Sequence, residues 1–355
     1  MCSYEIKEYR TAKRFLDYLQ IRQGHWLPKG EWTSPWVFRG HGNADWELKP
    51  RIWRKPEDDP IPEKVLKRFQ IKQDNDDLEE LFRSSFNELT YRSRLGFPAD
   101  WGFYVNWIRV PQEKLPNLLK ALQFTFAEVD AIRDFIALAD RIGYLVPRQW
   151  EFGSWREVMV RHIDQVCNPR HAERLSLETY FFVWDGRNHP ATALAQHHGV
   201  PTSLLDWTQK PMVAALFAAE DVLYKVKDAK RLAVWALNTH ILDDGQMHEG
   251  EKRRLQKLTV PRSELAYLHA QDSLFTYDSG ADKHFILNDE WPSIEDVISS
   301  ESPNDEKMLL RKVTLPTSEV RELLRLLWAE GITRASIMPG YDNVTKALET
   351  RWHWQ

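Results

Sequence analysis

Cysteine is scarce in this chain: Cys2 and Cys167 are the only two among 355 residues. Two are too few for a disulfide framework or a zinc cage, and neither stands in a Cys-x-x-Cys or Cys–His setting, so both read as inert thiols. Long hydrophobic runs are also missing. No window approaches 18 uncharged apolar residues, and even KPMVAALFAAEDVLY (210–224) carries charges, so no transmembrane helix is expected. The opening MCSYEIKEYRTAKRFL lacks the apolar stretch of a signal peptide and reads as the start of an amphipathic helix. Excess positive charge is absent too: 48 Lys and Arg face 52 Asp and Glu, a net charge of −4. A general nucleic-acid binder would be clearly basic overall or along one face. No GxSxG elbow, HExxH spacing or glycine-rich phosphate loop occurs. These absences describe a soluble protein of a reducing cytoplasm, with no membrane partner and no metal.

What is present is aromatic mass. Tryptophan alone contributes 16 residues, and apolar residues make up 43% against 28% charged, a balance that supports a packed core. The length allows two domains or one large core with insertions. Up to about residue 55, a helix ends near Gln23, and Trp36-Val37-Phe38 forms a β-type run that Gly40, Gly42 and Asn43 break. Trp46, Leu48 and Ile52 return the chain to the core. Residues 60 to 190 read as mainly helical, with stripes at Val65, Leu66 and Phe69 and at Leu78, Leu81, Phe82 and Phe86, and further helices over 111–141 and 154–180. Beyond 190, Thr208 is the expected N-cap of a helix whose Met212, Leu216, Ala219 and Leu223 share a face, followed by the strand LAVWALN. The last part alternates the strand KVTLP, a helix over 319–330 stopped by Gly331, the strand ASIMP and a terminal helix after Asp342.

Three segments place polar groups where core formation alone would not. In Phe38-Arg39-Gly40-His41-Gly42, an Arg directly after a hydrophobic strand can aim a fixed guanidinium fork at phosphate or carboxylate. The segment Gln196-His197-His198-Gly199-Val200-Pro201-Thr202-Ser203-Leu204-Leu205-Asp206-Trp207-Thr208 gathers amide, imidazole, hydroxyl and carboxylate groups around a Gly/Pro turn. Adjacent His197 and His198 are expected to point to opposite sides, which disfavours a shared metal. Asp206 either caps the following helix or pairs with Arg39. The third segment, Gln271-Asp272-Ser273-Leu274-Phe275-Thr276, sets an amide at the start of a strand-like run.

Together with ITRASIMPGYDNVTKAL near the C-terminus, these segments resemble the FRG-domain family, which takes its name from the tripeptide standing here as Phe38-Arg39-Gly40. The resemblance runs over most of residues 30 to 350, with 60–190 matching only as a helical region. It implies a single FRG domain over 1–355 that contains 60–190 as a mainly helical insertion. A more distant similarity, to ADP-ribosyltransferase folds, implies an α+β architecture: a mixed β core like their split sheet, with the helical insertion and flanking helices. Arg39 after Trp36-Val37-Phe38 looks like the first element of that pattern. Thr202-Ser203 followed by Val213 to Ala218 looks like the second, and Gln271 takes the third place, where the pattern prefers Glu; Glu264 lies nearby.

On this resemblance the cofactor is NAD, and the protein is a nucleotide-binding effector of the toxin or phage-defence kind, with a protein or nucleic acid as acceptor. Arg39, His198, Asp206 and Gln271 would be catalytic. Arg39, Thr202, Ser203 and Trp207 would hold the nucleotide, with Trp36, Trp46 and Trp207 as ring-bearing walls. Two other readings stand beside it: a nuclease-type hydrolase using His198 and Asp206 as a general base pair, and a non-catalytic binding module in which an Arg39–Asp206 pair merely closes the core.

Overall fold

The computed structural model describes residues 4–75, 103–105, 108–110, 114–146, 190–226, 228–243, 254–259, 272–301 and 309–353. In chain order these form β1 (Glu5–Glu8), α1 (Ala12–Leu19), β2 (Trp36–His41), α2 (Ile61–Asn75), β3 (Phe103–Val105), β4 (Ile108–Val110), α3 (Leu115–Arg141) and α4 (Pro190–His197). There follow β5 (Leu205–Thr208), α5 (Pro211–Tyr224), β6 (Arg231–Asn238), β7 (Leu255–Leu258), β8 (Ser273–Asp278), α6 (Ala281–Asn288), α7 (Ile294–Glu301), β9 (Leu310–Pro316), α8 (Val320–Ala329) and α9 (Tyr341–Trp352). The chain divides into two compact units.

The first unit comprises Met1–Leu48, Leu205–Asp278 and Ser293–Gln355. Its frame is a seven-stranded mixed sheet in the order β1-β9-β6-β2-β5-β8-β7. β1 lies parallel to β9, and the other neighbours are antiparallel. Alternation along β2 sorts the two faces. Trp36 and Phe38 join Val234, Val313, α5 and Leu323 and Leu327 of α8 in one core. Val37 joins Trp235, Trp207, Leu274 and the Ile294–Ile298 face of α7 in the other. α5 is apolar nearly all round, with Pro211 to Leu216 buried in succession, because it lies directly on the sheet rather than at the surface.

Four expectations change here. β2 runs on through Gly40 to His41; Gly40 does not end the strand but lets α5 approach it. A Cβ at Gly40 would stand 2.0 Å from the Ala214 carbonyl oxygen and 2.7 Å from the Ala218 nitrogen. The N-terminus opens as edge strand β1 on β9, so α1 begins only at Ala12 and ends at Leu19. Thr208 closes β5, its hydroxyl accepting the Lys210 N–H at 3.0 Å, and α5 starts with Pro211 instead of a side-chain cap. The ASIMP strand is a single helical turn, Arg334–Ile337, nucleated by a capping box in which Thr333 and Ser336 each accept the other's backbone N–H.

The second unit comprises Lys49–Leu204 and Ser279–Pro292. It holds α2, the β3–β4 antiparallel pair, the 27-residue α3, α4 and α6. The strand pair lies within 60–190, the stretch expected to be mainly helical. Trp291 stacks between Trp53 and Phe285 at ring separations of 4.7 and 4.3 Å. The helices expected from Leu78 and over 154–180 lie outside the described residues. Among the described residues no helix is long and apolar enough to cross a membrane.

Candidate functional site

The pairing of β2 with its two neighbours is unequal. Six residues of β2, Trp36 to His41, pair with β6, whereas only Phe38 pairs with Thr208 of β5. Beyond that pair the ladder stops, and Arg39 spans the interval. Its Nη1 donates to the Asp206 carbonyl oxygen at 2.9 Å and to Asp206 Oδ1 at 2.7 Å. Its Nε donates to Nε2 of His41 at 3.1 Å. Because that nitrogen accepts, the imidazole is neutral with its proton on Nδ1. The two Nη2 hydrogens have no partner among the described residues. The guanidinium is thus held from two sides through Nε and Nη1, with Nη2 the nitrogen that has no partner among the described residues. The Arg39 side chain is 13% exposed and that of Asp206 55%, so the pair opens to water instead of sealing a core.

Two further features lie in the segments that follow β2 and β5. The half-buried Trp46 sets its ring edge-to-face with His41 at a centroid distance of 6.0 Å. Lys210, just past β5, pairs with Asp272 at 3.1 Å, and Asp272 adopts a left-handed backbone with φ 47° at the head of β8. Gln271 precedes it and, like Glu264, lies outside the described residues. Trp207 and Trp36 are both core residues: Trp207 is buried with its indole N–H bonded to Thr276 Oγ1 at 2.9 Å, and Trp36 meets Trp26 edge-on.

The remaining expected site residues belong to the second unit. α4 ends in a Schellman turn, with Val200 N–H on the Ala195 carbonyl and Gly199 N–H on that of Gln196. Gly199 takes φ 94°, which a side chain would strain. The turn brings His197 and His198 edge-to-face at 5.2 Å, contrary to the expectation that neighbours point apart. More than a third of His198 is exposed, while its ring lies along Phe135 at 6.0 Å. That apolar side desolvates the imidazole and lowers its pKa. The Thr202 hydroxyl bonds Gln196 Oε1 and accepts the Leu204 N–H. Ser203 donates both its N–H, at 2.8 Å, and its hydroxyl, at 3.0 Å, to one oxygen of Glu128. Both residues are buried, so each hydroxyl is engaged within the fold.

Sequence reasoning missed Glu128. Its signal is a carboxylate inside the mainly apolar FTFAEV of α3, buried to 2% exposure; such a group requires donors, and Ser203 supplies two.

The FRG domain model matches residues 155–226. The matched span takes in the Gln196–Thr208 segment and α5, and Phe38-Arg39-Gly40 lies outside it. No curated protein and no solved structure matches the chain. Within the span, Asp206 is the residue that joins the guanidinium of Arg39.

Proposed function

We propose that the chain binds an NAD-type nucleotide at the Arg39–Asp206 pair and acts on it as an ADP-ribosyltransferase or NAD glycohydrolase, as an effector of the toxin or phage-defence kind. One observation carries this reading: Arg39 is held by Asp206 and His41 through Nη1 and Nε, while its Nη2 has no partner among the described residues. A positively charged nitrogen held in fixed position suits a phosphate oxygen, which accepts a charge-assisted hydrogen bond from it. The half-exposed Asp206 carboxylate beside it suits a ribose. Cleaving the nicotinamide–ribose bond sends the bonding electron pair to the departing nicotinamide and leaves positive charge on the sugar. A fixed carboxylate lowers the cost of that charge. The sugar is then captured by water or by a hydroxyl or amine of an acceptor, whose proton passes to solvent.

The test incubates the protein with NAD labelled in the adenylate half, with and without cell extract, and follows free nicotinamide and labelled macromolecules. Turnover is expected, and Arg39→Met should abolish it with the variant still folded. Absence of turnover together with no rise in melting temperature on adding NAD or ADP-ribose overturns the reading.

A second reading is a binding module without turnover. It is favoured by the hydroxyls of Thr202 and Ser203 and the indole of Trp207, all of which are engaged by protein partners. Its signature in the same assay is a melting-temperature rise with ADP-ribose and no nicotinamide release.

A further inference from the structure

We infer that Trp46 is the platform on which the nucleotide's base stacks, so that the ligand class is a 5′-phosphorylated nucleoside rather than a sugar phosphate or pyrophosphate alone. The inference rests on the nucleotide reading of the Arg39 site and adds the base to it. Of the three tryptophans near the candidate Arg and Asp in sequence, Trp36 and Trp207 are buried to 4% and 2% exposure. Trp46 alone among them is partly exposed.

Its placement is held, not adventitious. The Trp46 N–H closes a turn on the Asn43 carbonyl at 3.2 Å, Leu48 is fully buried two residues on, and the backbone N–H of Leu48 is clamped by both oxygens of Glu295 at 3.0 and 3.1 Å. Edge-to-face contact with His41 fixes the ring from one side, and His41 is itself tied to Arg39 Nε. A continuous row results: carboxylate, guanidinium, imidazole, indole. A nucleotide offers the matching sequence of groups, with ribose hydroxyls and phosphate oxygens for the first two and an aromatic face for the last. Indole is the largest of the side-chain rings, and stacking on it tolerates any base, so the row specifies a nucleotide without specifying which one.

Calorimetry with the full chain tests this, using AMP, nicotinamide mononucleotide, ribose 5-phosphate and pyrophosphate as probes. Wild type should bind the two nucleotides more tightly than the two fragments that lack a base. Trp46→Ala should weaken the nucleotides roughly ten- to hundredfold and leave ribose 5-phosphate and pyrophosphate unchanged. Trp46→Phe, which keeps an aromatic face, should retain most of the affinity and guards against a variant that merely misfolds. The nucleotide more affected by Trp46→Ala identifies the ring that stacks.

Equal loss for nucleotides and fragments, or no loss for either, overturns the platform while leaving the Arg39 site in place. No binding of any probe by wild type overturns the nucleotide reading and the platform with it. Nucleotide binding that disappears in Arg39→Met but ignores every Trp46 change overturns the platform alone and so separates the two failures.

Discussion

Arg39 and Asp206 form one ion pair, yet the structure makes them unequal. Asp206 is more than half exposed, so water compensates its carboxylate when the partner leaves, and such pairs contribute about 0–1 kcal/mol. Arg39 is largely enclosed, and it also donates to His41, which is 3% exposed. Removing the guanidinium therefore strips a buried acceptor of its donor, at a cost of about 1–3 kcal/mol. Asp206→Asn should shift the urea midpoint little, whereas Arg39→Met should lower it visibly without unfolding the protein at 25 °C. The core-closing reading of the pair requires the opposite: loss of either partner of a fully buried pair costs about 3–5 kcal/mol. Unfolding of Asp206→Asn would restore that reading and remove the ligand-binding one.

At the scale of elements, Gly40 carries the same argument into packing. α5 reaches β2 so closely because Ala214 and Ala218 face a residue without a side chain. The Cβ of a Gly40→Ala variant would overlap backbone atoms, which cannot swing aside, so α5 must shift. Overpacking of this kind costs about 1–3 kcal/mol or more. Thermal melting should show that loss with Arg39 intact, and an unchanged melting temperature would mean that the helix and strand are not in register as described.

The same elements explain what was legible in the sequence. β6, β8 and β9 follow from short runs of apolar, aromatic and β-branched residues and α8 from the Val320, Leu323, Leu324 and Leu327 stripe, because each signal lies within its own element. β5 did not: LDWT is too short and too polar to announce a strand, and pairing with β8 over Leu205 to Thr208 holds it extended. The one-turn helix at Arg334 was hidden because the apolar residues of ASIMP mimic a strand, while the deciding signal is the Thr333–Ser336 cap. At the site, an Arg39–Asp206 pair was among the options that residue type offered. The tie between Ser203 and Glu128 joins residues 75 apart in sequence, a separation at which no periodicity speaks.

At the scale of the whole molecule, two sets of carboxylates act on stability in opposite senses. Burial raises Glu220, against the pull of Arg334, and raises Glu295, against the hydrogen bond from Leu48. For Asp59 burial also pushes upward, but hydrogen bonds from Arg51 and the Ile61 N–H outweigh it and leave the group lowered. A raised carboxyl binds protons more tightly folded than unfolded, so its contribution is complete below the ordinary carboxylate range and is lost as pH rises through the raised value. Lowered Asp59 does the reverse: its contribution is present above the ordinary range and disappears as pH falls through the lowered value. Glu295 isolates the first effect, because Glu295→Gln keeps an oxygen for the Leu48 N–H and removes the charge that burial penalises. Below the ordinary Glu range the variant and wild type should unfold at similar urea concentrations. From there toward neutrality the variant should become progressively the more stable, by at most about 1.4 kcal/mol per pH unit. A stability difference independent of pH would show that Glu295 ionises as freely in the fold as in the unfolded chain, and that its bond to Leu48, rather than its burial, governs the behaviour of the start of α7.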